Sequence, residues 1–158
     1  MNMDQPFECV ADRKSDRDVT QFREDHIGQG KLGMETGKNI LVVDDNKFLR
    51  VVVSKMLSGL GYEVLSADSA ENGLSVFLKN KFDVVLSDYE MPGMDGVAFA
   101  CSIKKSSPRT RVVIMTGAGR ETVLARNTTA VDEVISKPFT LAEIDEMIQS
   151  VSGKALFA

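Results

Sequence analysis

The chain has 158 residues, a net charge of −4, and 43% apolar and 27% charged residues, a composition typical of a globular protein with one substantial core. It has no basic run or stripe, which argues against direct binding to nucleic acid, and its apolar stretches are strand-sized, which predicts no membrane insertion. Two cysteines and one histidine argue against a histidine-based metal cluster or a catalytic triad. The first residues lack the features of a signal peptide, so we predict a cytoplasmic protein with reduced thiols.

Residues 1–37 differ from the rest of the chain. Apolar residues are sparse there, charges of both signs are mixed, and four glycines lie near the end of the segment. Such a segment cannot bury enough apolar surface to order itself, so we predict a disordered leader, a folded domain over 38–153 and a short tail over 154–158. Two alternatives to a disordered leader stay open. Val19, Phe22 and Ile27 have a weak helical spacing, so this segment could form a helix that docks on a partner. Translation could also start at Met34.

From residue 39 onward, short apolar segments alternate with amphipathic ones. Strands are predicted, in chain order, at 39–44, 63–67, 82–87, 111–115 and 133–136. Helices are predicted at 47–60, from Asp68 to 79, at 96–105, at 120–127 and from Thr140 to 151. Short strands joined by helical crossovers form a parallel sheet, so the predicted fold is a doubly wound, three-layer α/β sandwich. Two strand orders fit five strands, and periodicity does not choose between them.

Local signals predict the faces and ends of the helices. The face predicted to be buried in the first helix consists of Phe48, Val51, Val52, Met56 and Leu60. The corresponding face of the second helix consists of Leu74, Phe77 and Leu78. Gly61 is predicted to end the first helix in a left-handed cap. Asp68 with Glu71, and Thr140 with Glu143, have the spacing of a capping box at a helix start.

Acidic residues follow two of the predicted buried strands. Asp44 and Asp45 come after the apolar run 40–43, and Asp88 comes at the end of the strand that starts at Phe82. Open α/β sheets place their chemistry at the carboxyl ends of parallel strands, so the three carboxylates are expected to converge. Three anions repel one another unless a cation neutralises them, and hard carboxylate oxygens suit Mg²⁺. We therefore predict a magnesium-assisted phosphoryl site with Asp88 as the candidate acceptor.

These acids belong to a larger set of residues placed at successive strand ends. The set consists of Asp44-Asp45, Asp88, the run 91–96 (Met-Pro-Gly-Met-Asp-Gly), Thr116 and Lys137-Pro138-Phe139. In order and placement the set resembles the response-regulator receiver domain, and the resemblance covers residues 38–153. A single matching residue would be weak evidence for the family, but the placement of the whole set at successive strand ends supplies the context that confirms a motif. The resemblance implies a single-domain receiver like the chemotaxis regulators, with the flavodoxin-like strand order 2-1-3-4-5.

The resemblance assigns a role to each acid. Asp88 is the expected phospho-acceptor, a carboxylate nucleophile that forms an acyl phosphate. Asp45 and Asp88 are expected to bind Mg²⁺ directly, Asp44 through water, and the backbone carbonyl of Glu90 as a further ligand. Mg²⁺ is the implied cofactor because it offsets charge on the phosphoryl oxygens during in-line transfer.

Two further residues have roles implied by the resemblance. Lys137 pairs with the acids and then with the phosphate as a point charge, and Thr116 donates its hydroxyl to a phosphoryl oxygen. The Lys137–Pro138 bond is a candidate cis peptide. The implied partners are a sensor histidine kinase or histidine phosphotransfer protein, an unknown downstream protein and, through the surface after Arg120, a second copy in a homodimer.

The same residues also have ordinary structural interpretations. Asp44 or Asp45 alone could cap the helix that follows, and Thr116 or Lys137 alone could be a solvated loop residue. One departure from the family pattern is Val134, three residues before Lys137, where many receivers carry Tyr or Phe. A β-branched aliphatic side chain cannot swing a large ring between an exposed and a buried site.

Three classes of function therefore stay open. The first is a phosphorylatable receiver. The second is a pseudo-receiver, an interaction module that works without phosphate; the complete set of acids with Thr116 and Lys137 argues against it, and Val134 keeps it open. The third is an aspartate-nucleophile phosphatase of the haloacid-dehalogenase type, which needs Asp-x-Asp after the first strand, whereas Asp44 and Asp45 are adjacent. We predict that the chain is not an enzyme for an external metabolite and catalyses only its own phosphorylation and dephosphorylation.

Overall fold

The computed structural model describes residues 37–126 and 128–153. The predictions of a disordered leader, of a translation start at Met34 and of a tail over 154–158 concern residues that lie outside the described ranges. No described helix is both long enough and apolar enough to cross a membrane.

Five strands alternate with five helices along the described chain. The strands are β1 (Asn39–Val43), β2 (Glu63–Ala67), β3 (Val84–Asp88), β4 (Arg111–Thr116) and β5 (Glu133–Ser136). The helices are α1 (Lys47–Gly59), α2 (Ala70–Lys79), α3 (Gly96–Ser106), α4 (Arg120–Leu124) and α5 (Leu141–Gly153). All strand pairs are parallel and the sheet order is β2-β1-β3-β4-β5, which confirms the predicted fold class and order.

The core has two halves, one on each face of the sheet. Because successive strand residues point to opposite faces, Leu41 and Val43 belong to one cluster and Ile40 and Val42 to the other. The first cluster contains residues of α2, α3 and α4, and the second contains residues of α1 and α5. The sheet is therefore covered on both faces, as the near-continuous apolar strands require.

The predicted buried face of α1 is wrong. Phe48 is 78% exposed, whereas Arg50, Val53 and Leu57 form the buried stripe. The apolar run from residue 51 to 53 fits more than one helical face, and a buried arginine was not expected among apolar residues. The predicted end of the helix is confirmed, because Gly61 has φ +94° and the surrounding amides make the two hydrogen bonds of a Schellman motif, from residue 61 to 58 and from residue 62 to 57.

The start of α2 also differs from the prediction. Ser69, and not Asp68, is the N-cap: its hydroxyl accepts from the Asn72 amide at 3.1 Å. Asp68 instead accepts a hydrogen bond from the Asn72 side chain at 2.6 Å. Phe77 is buried as predicted, but Leu78 is 69% exposed, because the buried face runs through Ala70, Gly73, Val76 and Phe77. The packing is close: a Cβ on Gly73 would lie 2.9 Å from the Phe99 ring.

The other helix and strand ends lie close to the predicted positions. The capping box of α5 is confirmed, since the Glu143 amide donates to Thr140 Oγ1 at 3.2 Å and the Thr140 amide donates to Glu143 Oε2 at 2.6 Å. Helix α4 ends at Leu124, short of the predicted residue 127. Strand β3 starts at Val84 and includes Asp88, so the acid that was expected just beyond the strand is its last residue.

Candidate functional site

Three carboxylates meet at the carboxyl edge of the sheet. Strands β1 and β3 are neighbours, with Val43 opposite Ser87, so Asp44 and Asp45 come out of the sheet beside Asp88. One carboxylate oxygen from each acid lies within 4.8 Å of the others. Asp44 and Asp88 are buried, and Asp45 is exposed. The predicted convergence is confirmed.

A lysine that follows the outermost strand, β5, also reaches this cluster. Lys137 follows β5, and its Nζ donates to Asp88 Oδ1 at 2.8 Å and to Asp44 Oδ2 at 3.2 Å. Its backbone amide donates to the carbonyl of Thr116 at 2.7 Å, which fixes the start of the loop after β5 against the end of β4. The bond between Lys137 and Pro138 is cis, as predicted.

Burial and charge shape the ionisation of this cluster. Burial raises the pKa of Asp44 above its ordinary value, and the Asn46 amide and the charge of Lys137 offset only part of that rise. Burial alone would lower the pKa of Lys137, but its hydrogen bond to Asp88 and its attraction to both acids leave that pKa above the ordinary value. The ammonium is therefore charged at neutral pH. A buried carboxylate with a raised pKa is stabilised by further positive charge, such as a metal ion.

Thr116 and Glu90 lie at the same edge without joining the acid cluster. Thr116 is fully buried at the end of β4, and its Oγ1 accepts a hydrogen bond from the Ala118 amide at 3.0 Å. Glu90 is two residues beyond Asp88, in the loop that leads to α3, and its side chain is exposed. Thr116 therefore ends β4 and Glu90 lies in the loop after β3, and the roles expected for them stay predictions.

Two residues that sequence reasoning missed hold Asp44 in place. Asn46 is the N-cap of α1, since its Oδ1 accepts from the Leu49 amide at 3.1 Å, and its own amide donates to Asp44 Oδ1 at 2.8 Å. The acids are therefore not needed as helix caps. Arg50 is only 7% exposed, and its Nη1 donates to the Asp44 carbonyl at 2.8 Å. Arg50 shares one helical face with Val53 and Leu57, but no signal in the sequence marks an arginine as part of a buried face.

The turn after Asp88 depends on a close approach of two backbone segments. A Cβ on Gly96 would lie 2.3 Å from the Asp88 carbonyl oxygen, so only glycine fits at the start of α3. Asp95, the residue before it, is the N-cap of α3 and accepts from the Ala98 amide at 2.8 Å. Asp95 therefore caps the helix and Gly96 permits the close approach at its start.

Val134 is the departure from the family pattern noted in the sequence. It is 2% exposed within β5, and its carbonyl accepts from Arg120 Nη1 at 2.8 Å. An aliphatic side chain packed in this way has no large ring to exchange between buried and exposed positions.

The site as a whole combines hard oxygen ligands with one fixed cation. The three carboxylates are the ligand type that Mg²⁺ prefers, and Asp45 is open to solvent, which suits an ion that keeps several waters. The Lys137 ammonium already balances part of the negative charge. An arrangement of this kind can hold a divalent cation and bring an anionic group, such as a phosphoryl group, next to a carboxylate.

Known proteins share both the sequence pattern and the fold. The model of the response regulator receiver domain matches residues 40–149. The probable chemotaxis protein CheY of Rhizobium etli is 30% identical over 119 residues, which cover 72% of this chain and 92% of that protein. The autoinducer 1 sensor kinase/phosphatase LuxN of Vibrio campbellii is 36% identical over 102 residues, 65% of this chain but only 12% of that protein.

A solved structure with the same fold contains ligands. The response regulator protein TrrA of Thermotoga maritima, crystallised in complex with Mg²⁺–BeF, is 32% identical, with a TM-score of 0.67, over 72% of this chain and 98% of that chain.

Proposed function

The chain belongs to the response regulator receiver domain family of two-component signalling, and from this premise we propose that Asp88 is its phosphoryl acceptor. The observation that carries the proposal is the meeting of three carboxylates, one oxygen of each within 4.8 Å of the others, with the Lys137 ammonium bonded to two of them. Asp88 is the member of the cluster that ends a central strand, 2.8 Å from that ammonium.

In the proposed reaction, an oxygen of the Asp88 carboxylate attacks the phosphorus of a phosphohistidine on the donor protein. The P–O bond forms as the P–N bond breaks, and the imidazole nitrogen leaves with the bonding electron pair, so Asp88 becomes an acyl phosphate. Lys137, already beside Asp88, supplies positive charge to the added phosphoryl group. Thr116, now bonded to the Ala118 amide, is proposed to turn its hydroxyl toward a phosphoryl oxygen.

We propose Mg²⁺ as the ion that the acids hold. Asp45 and Asp88 are the proposed direct ligands, Asp44 acts through water, and the Glu90 carbonyl completes the protein contribution. When bound, the ion neutralises charge on the phosphoryl oxygens during transfer. The raised pKa of Asp44 supports this proposal, because added positive charge stabilises the buried carboxylate. The Mg²⁺–BeF complex of TrrA is a second support.

The proposed partners follow from the proposed chemistry. The phosphoryl donor is a sensor histidine kinase or a histidine phosphotransfer protein, and the output is binding to a downstream protein or to a second copy of the chain. No external metabolite is turned over, because the acyl phosphate forms and hydrolyses on the receiver itself. Cytoplasmic location and the lack of a nucleic-acid partner also stay predictions.

Intact-mass spectrometry of the full chain after incubation with acetyl phosphate, with and without Mg²⁺, tests the proposal. The wild type is expected to gain the mass of one phosphoryl group only with Mg²⁺, and Asp88→Asn is expected to gain none while keeping its fold. The matched control is Asp83→Asn, which removes an exposed acid at the opposite edge of the sheet and should label like the wild type.

Two results would contradict the proposal. Labelling of Asp88→Asn at the wild-type level would show that the acceptor is another residue. A folded wild type that gains no mass under any condition would favour the pseudo-receiver, which the buried aliphatic Val134 makes the second candidate.

A further inference from the structure

The segment between β3 and α3, residues 89–95, is closed at both ends; we call it the acceptor loop. The Tyr89 amide donates to the Met115 carbonyl at 2.9 Å, and the Gly96 amide donates to the Tyr89 carbonyl at 2.9 Å. At its far end Asp95 caps α3 through the Ala98 amide. The proposed Mg²⁺ ligand, the Glu90 carbonyl, therefore lies inside a loop whose first residue is tied to the start of α3.

One guanidinium also bonds to the side chain of the last residue of this loop. Arg126 lies just beyond α4, and its Nη1 donates to Asp95 Oδ2 at 2.7 Å. The hydrogen bond to Asp95, and then the nearby Tyr89 side chain, raise the pKa of Arg126. Because the guanidinium is planar and carries several donors in a fixed fork, it can hold two acceptors at a defined separation.

Asp95 uses separate oxygens for its two partners. Oδ1 accepts from the Ala98 amide and Oδ2 from Arg126. Burial alone would raise the pKa of Asp95, but the Ala98 amide and Arg126 outweigh it and hold that pKa below its ordinary value. The carboxylate is therefore ionised at neutral pH, which suits its pairing with the Arg126 guanidinium.

We propose that Arg126 is a positioning residue for the phosphorylation site, and this inference rests on the proposed function. By bonding to Asp95, it fixes the end of the acceptor loop and so helps to place the Glu90 carbonyl beside Asp88. Groups that orient the ligands of a metal commonly contribute to its affinity although they do not touch it. Because coupling between two sites is reciprocal, occupation of the site also holds the end of α4 against the loop.

The test is the Mg²⁺ affinity of Arg126→Gln, measured by calorimetry on the full chain. We expect the dissociation constant to rise about tenfold, the lower end of the usual effect of removing a group behind a metal ligand. Loss of a nearby positive charge would by itself strengthen cation binding, so a weaker affinity has the opposite sign to the charge effect. Arg126→Lys keeps the charge without the fork and should bind Mg²⁺ with intermediate affinity.

The matched control is Arg120→Gln. Arg120 lies at the other end of α4, and its substitution removes the same charge. Its guanidinium contacts Glu133 Oε1 at 2.6 Å and the Val134 carbonyl, away from the acceptor loop. We expect its Mg²⁺ affinity to stay within about twofold of the wild type, as for a surface ion pair. Asp95→Asn keeps the cap and loses the ion pair, and combining it with Arg126→Gln should add nothing further.

The outcomes separate this inference from the proposed function. Wild-type affinity in Arg126→Gln, or an equal loss in Arg120→Gln, overturns the positioning role while the receiver function stands. A wild type that binds no Mg²⁺ overturns the proposed function and this inference with it. Thermal melting of each variant shows whether it is folded, and if Arg126→Gln is not, wild-type Mg²⁺ affinity in folded Arg126→Lys overturns the positioning role.

Discussion

The Tyr62 hydroxyl links the turn after α1 to the last helix. Tyr62 is 4% exposed, and its hydroxyl donates to Asp145 Oδ1 at 2.5 Å. Burial, and then the nearby Asp145 carboxylate, raise the pKa of Tyr62 to about 12. This contact lies away from the acid cluster, so it isolates the effect of one buried hydrogen bond on stability.

Removal of that hydroxyl should destabilise the fold without affecting phosphorylation. We expect Tyr62→Phe to lower the free energy of unfolding at pH 8 by about 1–2 kcal/mol, the range for a hydrogen bond to a charged acceptor that keeps some solvent access. Urea unfolding of the wild type and the variant measures the difference.

The same pair of proteins predicts a pH dependence with a definite sign. The folded-state pKa of Tyr62 is raised from 10.0 to about 12, so its stabilising contribution is complete below pH 10 and is lost as pH rises toward 12. The advantage of the wild type over Tyr62→Phe should therefore be constant between pH 7 and 9 and should narrow at pH 11. An advantage that stays unchanged at pH 11 would show that folding does not raise the pKa of Tyr62.

At the scale of elements, the approach of β3 to the start of α3 sets the position of the acceptor. A Cβ on Gly96 would meet backbone atoms of Asp88 and Tyr89 at 2.3 and 3.1 Å, and backbone cannot move aside as a flexible side chain can. We expect Gly96→Ala to lower the free energy of unfolding by at least about 2 kcal/mol, as overpacking of a close contact does, and to slow phosphorylation because the end of β3 must shift.

Gly59 provides the comparison. It is the last residue of α1, and a Cβ there would have no heavy atom within 4 Å. Gly59→Ala should raise the free energy of unfolding by about 0.5–1 kcal/mol through helix propensity. Denaturant titration of both variants is the measurement, and similar stabilities for the two would refute the close-approach explanation.

The elements differ in how far the sequence could predict them. Strand ends were predictable because a buried parallel strand is a continuous apolar run that stops at a polar residue, and the acids Asp44 and Asp88 stand at those stops. The buried face of α1 was not predictable, because its apolar residues occupy several faces of the helix and the buried Arg50 interrupts the apolar pattern. The Asp95–Arg126 pair joins residues 31 apart, and no local spacing marks such a contact.

At the scale of the whole molecule, the two edges of the sheet have different tasks. The carboxyl edge holds the acid cluster and Lys137. At the amino edge, the Asp132 carboxylate accepts three hydrogen bonds: from Lys104 Nζ at 2.6 Å, from Arg111 Nη1 at 3.1 Å and from the Val112 amide at 2.8 Å. These contacts tie the end of α3, the start of β4 and the segment before β5, and they involve none of the site residues.

This separation predicts that stability and phosphorylation can be changed independently. Asp132→Asn leaves two partly buried cations short of their counter-charge, and we expect it to lower the free energy of unfolding by about 2 kcal/mol, less than for a fully buried pair because the side chains are 17–18% exposed. Glu133→Gln is the control: its partner Arg120 is 47% exposed, so the expected loss is at most about 0.5 kcal/mol.

Both variants should still gain one phosphoryl group from acetyl phosphate at the wild-type rate, whereas Asp88→Asn should keep its fold and gain none. If folded Asp132→Asn lost phosphorylation, the amino edge would have to be coupled to the acid cluster through the length of β4, and the division between the two edges would be wrong.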